Sequence, residues 1–133
     1  APVTLLYTEA LLGAAQGFVH WEPVNSDAFR YGEGAISKSG ASSAFVKWNF
    51  NGNAFSLWAP KSPRFGKAEV FLDGTLLTVL DFHAPEEVPS KPVFTRDALK
   101  NAYHALVLKP IGGGIIPVDC LEIIGRPEDI QTP

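Results

Sequence analysis

Short runs of alternating apolar and polar residues, broken every few positions by Gly, Pro, Asn or Asp, dominate this chain from end to end. A period of two places successive side chains on opposite faces of an extended strand, and frequent turn residues keep each strand short. The clearest run is Ala44-Phe45-Val46-Lys47-Trp48-Asn49-Phe50. Val46, Trp48 and Phe50 share one face and Lys47 and Asn49 the other, which makes Trp48 a core residue. Asn51-Gly52-Asn53 follows and reads as a hairpin turn into a strand over 54–59. A second hairpin joins 67–72 to 75–81 through Asp73-Gly74. Later strands are expected over 103–108 and 117–124, with a short one over 93–95.

The first forty residues are less regular. Strands are expected over 3–7 and 18–24. Residues 9–16 are helix formers in too short a run to hold a helix alone. The stretch 83–92 carries Pro85, Pro89 and Pro92, which excludes a helix or a central strand there. Eleven prolines and twelve glycines in 133 residues argue against a helical bundle. Sequential hairpins without helices between strands imply antiparallel sheets, and eight to ten short strands fit two packed sheets. The expected fold class is therefore all-β, an antiparallel two-sheet β-sandwich; alternation alone leaves a closed barrel open. One domain over 1–125 is expected, followed by a polar tail or linker over 126–133.

Several functions are disfavoured by composition. The net charge is −3, against a general electrostatic grip on nucleic acid or an anionic membrane. No apolar stretch approaches the length of a spanning helix, so membrane insertion is not expected. Cys120 is the only cysteine, which excludes an internal disulfide and a paired-cysteine metal or redox site. It reads as a small apolar strand residue. Methionine is absent even at position 1, so a processed product or a piece of a longer protein is expected.

The strand pattern resembles the jelly-roll domains of the galactose-binding-like fold that occur as carbohydrate-binding modules and accessory domains. The residues that carry the resemblance are Gly40-Ala41-Ser42 through Val46-Lys47-Trp48-Asn49-Phe50-Asn51-Gly52, Ala59-Pro60-Lys61, Gly66-Lys67-Ala68-Glu69-Val70-Phe71-Leu72-Asp73-Gly74, Tyr103-His104-Ala105-Leu106-Val107-Leu108 and Val118-Asp119-Cys120-Leu121-Glu122-Ile123. They cover roughly two-thirds of the chain, judged against the strand spacing of sandwiches. The resemblance implies a non-catalytic module that holds a secreted or cell-surface polysaccharide-active enzyme at its glycan, with the catalytic domain of the same parent chain as neighbour. Its alternative is a structural or protein-interaction sandwich that packs against that neighbour. The early segment lacks the acidic pattern by which related modules hold a structural calcium, so neither a metal nor a cofactor is expected.

A sugar offers apolar C–H faces and a rim of hydroxyls, so the residues to seek are exposed rings beside bidentate polar groups. Trp58 is out of phase with Phe55 and Leu57, and Phe71 with Val70 and Leu72. If their strands are neighbours, the two rings form one outward platform or a satellite cluster. Asp27, Arg30 and Tyr31 share a loop that reads as a binding loop or as an ordinary turn with a local ion pair. Lys61, Arg64 and Lys67 suit an acidic saccharide, by bidentate pairing of Arg with a carboxylate or sulfate, or else a solvated loop. The candidate carbohydrate-binding residues are thus Trp58, Tyr31, Arg30, Arg64, Asp27 and Phe71, and the partner is a polysaccharide or oligosaccharide.

Trp21 reads as structural, His104 as a structural hydrogen-bonding residue, Asp73 as a turn residue and Asp119 as a strand cap or a support for a turn. His83 and His104 reach a common metal only if the fold brings them together. No nucleophile elbow, zinc-helix motif or phosphate loop is present, and adjacent Glu86 and Glu87 point opposite ways on an extended strand. Asp81 and His83 share one side of a strand, where a serine has yet to be supplied by the fold. A catalytic role is not expected.

Overall fold

The computed structural model describes residues 3–14, 21–38, 44–112 and 114–124. Its strands are β1 (Val3–Leu6), β2 (Leu11–Ala14), β3 (Trp21–Asn25), β4 (Glu33–Ser37), β5 (Ala44–Gly52), β6 (Ala54–Lys61), β7 (Lys67–Leu72), β8 (Thr75–Asp81), β9 (Val88–Arg96), β10 (Ala102–Pro110), β11 (Pro117–Val118) and β12 (Cys120–Ile124), with one 3₁₀ turn at Tyr7–Glu9. They form a four-stranded sheet in the order β1-β12-β6-β9 and a five-stranded sheet in the order β2-β5-β10-β7-β8. A three-stranded sheet, β11-β4-β3, completes the fold. Every strand pair is antiparallel. This is the sandwich and not the closed barrel.

Alternation decides which face is buried. β5 contributes Val46, Trp48 and Phe50 to the core from the five-stranded sheet, joined by Val70, Leu72, Leu106 and Leu108. Phe55, Leu57, Ala59, Leu121 and Ile123 face them from the four-stranded sheet. The Trp48 indole N–H donates to the Leu6 carbonyl at 3.2 Å, tying the two sheets through their shared interior. Trp21 is buried in the same core, a structural residue as expected.

The Asp73-Gly74 hairpin forms as read, with φ of 51° and 84° at its two turn residues. Both angles are positive, as a tight turn matched to strand twist requires. The Asn51-Gly52-Asn53 hairpin does not form. β5 and β6 belong to different sheets, and this turn carries the chain from one layer to the other. The Asn53 N–H donates to the Ile124 carbonyl, and the Asn53 carbonyl accepts from the Leu99 N–H. The reason is that both flanking runs aim their apolar sets at one core, which two facing layers permit.

Three further expectations change. Residues 11–14 form a strand edge-paired to β5, where helix-forming residues stood alone. The proline-rich segment supplies a longer strand than expected, with Pro89 and Pro92 inside β9 at the sheet edge, where a missing N–H breaks no inner ladder. The closing strand divides at Asp119: β11 pairs with β4, and β12 pairs with β1 and β6. The strand expected over 18–24 is seen from Trp21 onward; residues 18–20, 40–42 and the tail over 126–133 lie outside the described residues.

Candidate functional site

The loop over 26–32 is built to be rigid. Phe29 is buried, and Gly34 lies so close to its ring that a Cβ there would overlap it. The Phe29 N–H donates to the Ser26 carbonyl and the Gly32 N–H to the Phe29 carbonyl, each at 3.1 Å. The Ala28 carbonyl accepts from the Ser90 N–H at 2.7 Å, binding the loop to β9. The Arg30 N–H donates to Asp119 Oδ2 at 2.9 Å. Asp119 thus caps the break between β11 and β12. Its burial pushes its carboxyl pKa up, against the opposing pull of Ser90 and Arg30.

This loop delivers Arg30 to the outer face of the four-stranded sheet. The guanidinium sits 3.8 Å from the centroid of Trp58 and 5.2 Å from that of Tyr31. Both Nη atoms lie 3.4 Å from Glu122 Oε2, and Nη1 lies 4.0 Å from Cys120 Sγ. Burial works against the Arg30 charge, but Cys120, Tyr31 and Glu122 outweigh it and its pKa rises. Tyr31 stands 53% exposed beside this stack, the most open ring of the group. The Trp58 Nε1–H is buried and meets no acceptor among the described residues.

Arg30 and Tyr31 from the loop and Trp58 from β6 therefore meet at one rim. Asp27 lies exposed on the same loop. The local ion pair considered for that loop does not form: the partner of Arg30 is Glu122, 92 positions away. Arg64 is exposed on the loop after β6, its guanidinium 5.3 Å from the Phe65 ring centroid. It lines a small open hollow with Ser26, Ala28, Lys61, Ser62 and Glu87. Lys67 stands at the head of β7, opposite Asp81.

Phe71 does not join Trp58. β7 lies in the five-stranded sheet and β6 in the four-stranded one, so the two rings sit on opposite outer faces of the sandwich. The shared platform is thereby excluded. Phe71 is half-buried, with Lys109 Nζ 5.1 Å from its centroid.

The remaining chemistry-bearing groups are committed elsewhere. His104 is buried, with Nδ1 2.6 Å from Asp73 Oδ2 and Nε2 2.7 Å from the Lys100 carbonyl. His83 lies at the far end of β7 from Asp73, so the two histidines share no site. A serine does approach His83: Ser62 is its bridge partner. The Asp81 carboxylate accepts the His83 backbone N–H, not a ring N–H, and the buried Ser62 hydroxyl accepts from the Arg64 N–H. That is a set of turn contacts and no hydrolytic relay. Burial pushes the Cys120 thiol up to about 12.

Glu122 is the member of the site that sequence reasoning missed. Its phase opposite Leu121 and Ile123 marks it as outward-facing, but the partner of an outward carboxylate depends on which strand and loop lie beside it. The register supplies that: Cys120 is opposite Trp58, and Glu122 opposite Ser56.

No family model matches the sequence. A type blood α-D-galactosamine galactosaminidase from Flavonifractor plautii is 28% identical over 89 residues, which is 67% of this chain and 8% of that protein. The chain thus spans only a small part of the curated relative it matches. The fold is that of a family 35 carbohydrate binding module from Clostridium thermocellum, with a TM-score of 0.66, 13% identity and coverage of 92% of this chain and 96% of that one. An exo-β-1,3-galactanase from Phanerochaete chrysosporium superposes with a TM-score of 0.63 and 12% identity, over 92% of this chain and 29% of the enzyme. The chain is an antiparallel β-sandwich that shares its fold with that module.

Proposed function

We propose that this chain is a non-catalytic carbohydrate-binding module that holds a secreted or cell-surface polysaccharide-active protein at its glycan. The observation that carries the reading is the exposed Tyr31 ring set beside the immobilised Arg30–Trp58–Glu122 stack at the rim of the sandwich. A flat ring meets the C–H face of a pyranose, and a fixed guanidinium and carboxylate meet its hydroxyls as donor and acceptor. Because the loop is pinned by Phe29, Ser90 and Asp119, little ordering is needed on binding. The contact is small and wet, so single-site affinity belongs in the micromolar to millimolar range. Tethering to a catalytic domain in the same chain then acts by raising effective concentration. The family 35 module and the galactanase support the reading as bearers of the same fold in carbohydrate-active chains.

The purified chain on an array of neutral and acidic oligosaccharides tests this. Binding to at least one glycan class, lost in Tyr31→Ala, is expected. A blank array with a correctly folded protein contradicts it.

A second reading has its own observation. The outer face of the five-stranded sheet aligns Leu11, Lys47, Val107, Phe71 and Leu76 in one transverse row, and Leu76 and Val79 are 49% and 46% exposed. Such a row suits packing against a neighbouring domain. It lies opposite the Arg30 rim, so the two roles use different faces.

A further inference from the structure

This inference presupposes the carbohydrate-binding reading above. We propose that Glu122 is a specificity-determining residue that makes the site select neutral glycans over acidic ones, and that the ligand track continues from Tyr31 along a row of hydroxyls across the four-stranded sheet.

Register defines the track. Thr4 is opposite Glu122, Glu122 opposite Ser56, and Ser56 opposite Thr95. Directly opposed residues share a face, and Leu57 and Leu121 on the alternate positions are buried. The four polar residues therefore line the outer surface in one row, with the Ser56 and Thr95 hydroxyls 3.1 Å apart. The adjoining row is Cys120, Trp58 and Pro92, with Arg30 lying on Trp58. The Thr4, Ser56 and Thr95 hydroxyls thus flank Glu122, the acceptor of a fixed donor–acceptor pair.

Charge decides the ligand class. The Arg30 guanidinium is the cation that contacts this track, and Glu122 already neutralises it at 3.4 Å. The two side chains are 25% and 26% exposed, open enough for a ligand to touch both. A ligand carboxylate reaching Arg30 would approach the Glu122 carboxylate at close range, and like charges there oppose binding. A neutral sugar meets no such conflict. Its hydroxyls both donate and accept: Glu122 Oε1, which accepts from none of the described residues, takes a donated hydrogen, and the Ser56 and Thr95 hydroxyls serve in either sense. The cations Lys61 and Arg64 line a hollow to which Arg30, Trp58 and Glu122 do not contribute, and Glu87 lines it with them.

Affinity gel electrophoresis in galactan, in mannan and in polygalacturonate, with wild type, Glu122→Gln and Ser56→Ala, tests the proposal. The expected result is retardation of wild type by a neutral polymer, with polygalacturonate weaker by about tenfold or more. Glu122→Gln frees Arg30, so polygalacturonate binding rises by about tenfold at low salt and falls again as salt screens it. Ser56→Ala weakens neutral binding by about threefold to tenfold, the cost of one hydroxyl contact, and reads the track even if the Glu122 variant does not fold. Wild type that prefers polygalacturonate, a Glu122→Gln variant with an unchanged ratio, or unchanged neutral binding in Ser56→Ala overturns the proposal while the binding reading stands. No retardation of any variant in any polymer overturns the binding reading itself.

Discussion

Arg30 lies over Trp58, with its guanidinium carbon 3.8 Å from the ring centroid and both terminal nitrogens 3.4 Å from Glu122 Oε2. One face of Trp58 is therefore occupied by the protein's own cation. Trp58 supports the site from below, and Tyr31 presents the open ring.

Removing that cation has a stability cost. A partly desolvated cation–π contact and a half-buried ion pair together contribute about 1–2 kcal/mol. Arg30→Ala is expected to lower unfolding free energy by about that amount in a denaturant titration, and to shift native tryptophan emission to the red as Trp58 gains water. Arg30→Lys keeps the charge but loses the guanidinium's contact with the ring and the two-nitrogen contact with Glu122, so it restores only part of the loss.

The His104–Asp73 pair sets a pH dependence. The Asp73 carboxylate and the Lys100 carbonyl are both acceptors, so both ring nitrogens must carry hydrogens: the imidazolium is the form the fold holds. Burial opposes the charged ring, but the Asp73 and Lys100 bonds outweigh it and raise the His104 pKa above 6.5. Burial likewise opposes the Asp73 carboxylate, but His104 and the Ala105 N–H outweigh it and lower its pKa below 3.8. A raised histidine contributes fully below its unfolded pKa and is lost as pH rises through its folded pKa. A lowered carboxylate contributes above its unfolded pKa and is lost as pH falls through its folded one. The pair is thus strongest between 3.8 and 6.5. Melting temperature is expected to fall from pH 6 to pH 9 in wild type, and to change less over that range in His104→Gln.

Gly34 is the tightest point behind the binding loop. A Cβ there would overlap the Phe29 ring and come within 2.7 Å of the Val118 carbonyl oxygen. The backbone cannot yield easily, so Gly34→Ala must displace Phe29 from the core. Overpacking of this kind costs about 1–3 kcal/mol. Thermal unfolding is expected to show that loss, and glycan binding is expected to weaken with it, because Phe29 anchors Arg30 and Tyr31.

Cys120 lies buried beneath Arg30, with its thiol pushed up to about 12. Little thiolate exists at pH 8, and no reagent reaches it. A disulfide-exchange reagent such as DTNB is expected to leave the native protein unmodified over hours and to titrate one thiol on unfolding in guanidinium. Rapid native labelling contradicts the packing described.

Local signals marked strand faces well. Val46, Trp48 and Phe50 alternate into the core as their phase requires, and Asp73-Gly74 supplies the two positive φ angles that its hairpin needs. Partner choice was less legible. Asn51-Gly52-Asn53 carries the same kind of turn signal as Asp73-Gly74, yet one joins two sheets and the other two neighbouring strands. A turn tells where the chain bends, not which layer receives it. The same gap hid Glu122, whose partner is 92 positions distant, and suggested a Trp58–Phe71 platform that the layer assignment forbids. Residue chemistry singled out Arg30 and Tyr31; only register placed Glu122, Ser56 and Thr95 beside them.

The central claim is that a glycan docks at the Tyr31 rim and not on the opposite sheet. Affinity gel electrophoresis of wild type, Tyr31→Ala and Phe71→Ala in one glycan that retards the wild type compares the two faces directly. Retardation is expected to persist in Phe71→Ala and to be abolished in Tyr31→Ala, with both variants melting as folded proteins. Retardation that survives in Tyr31→Ala and disappears in Phe71→Ala contradicts the account.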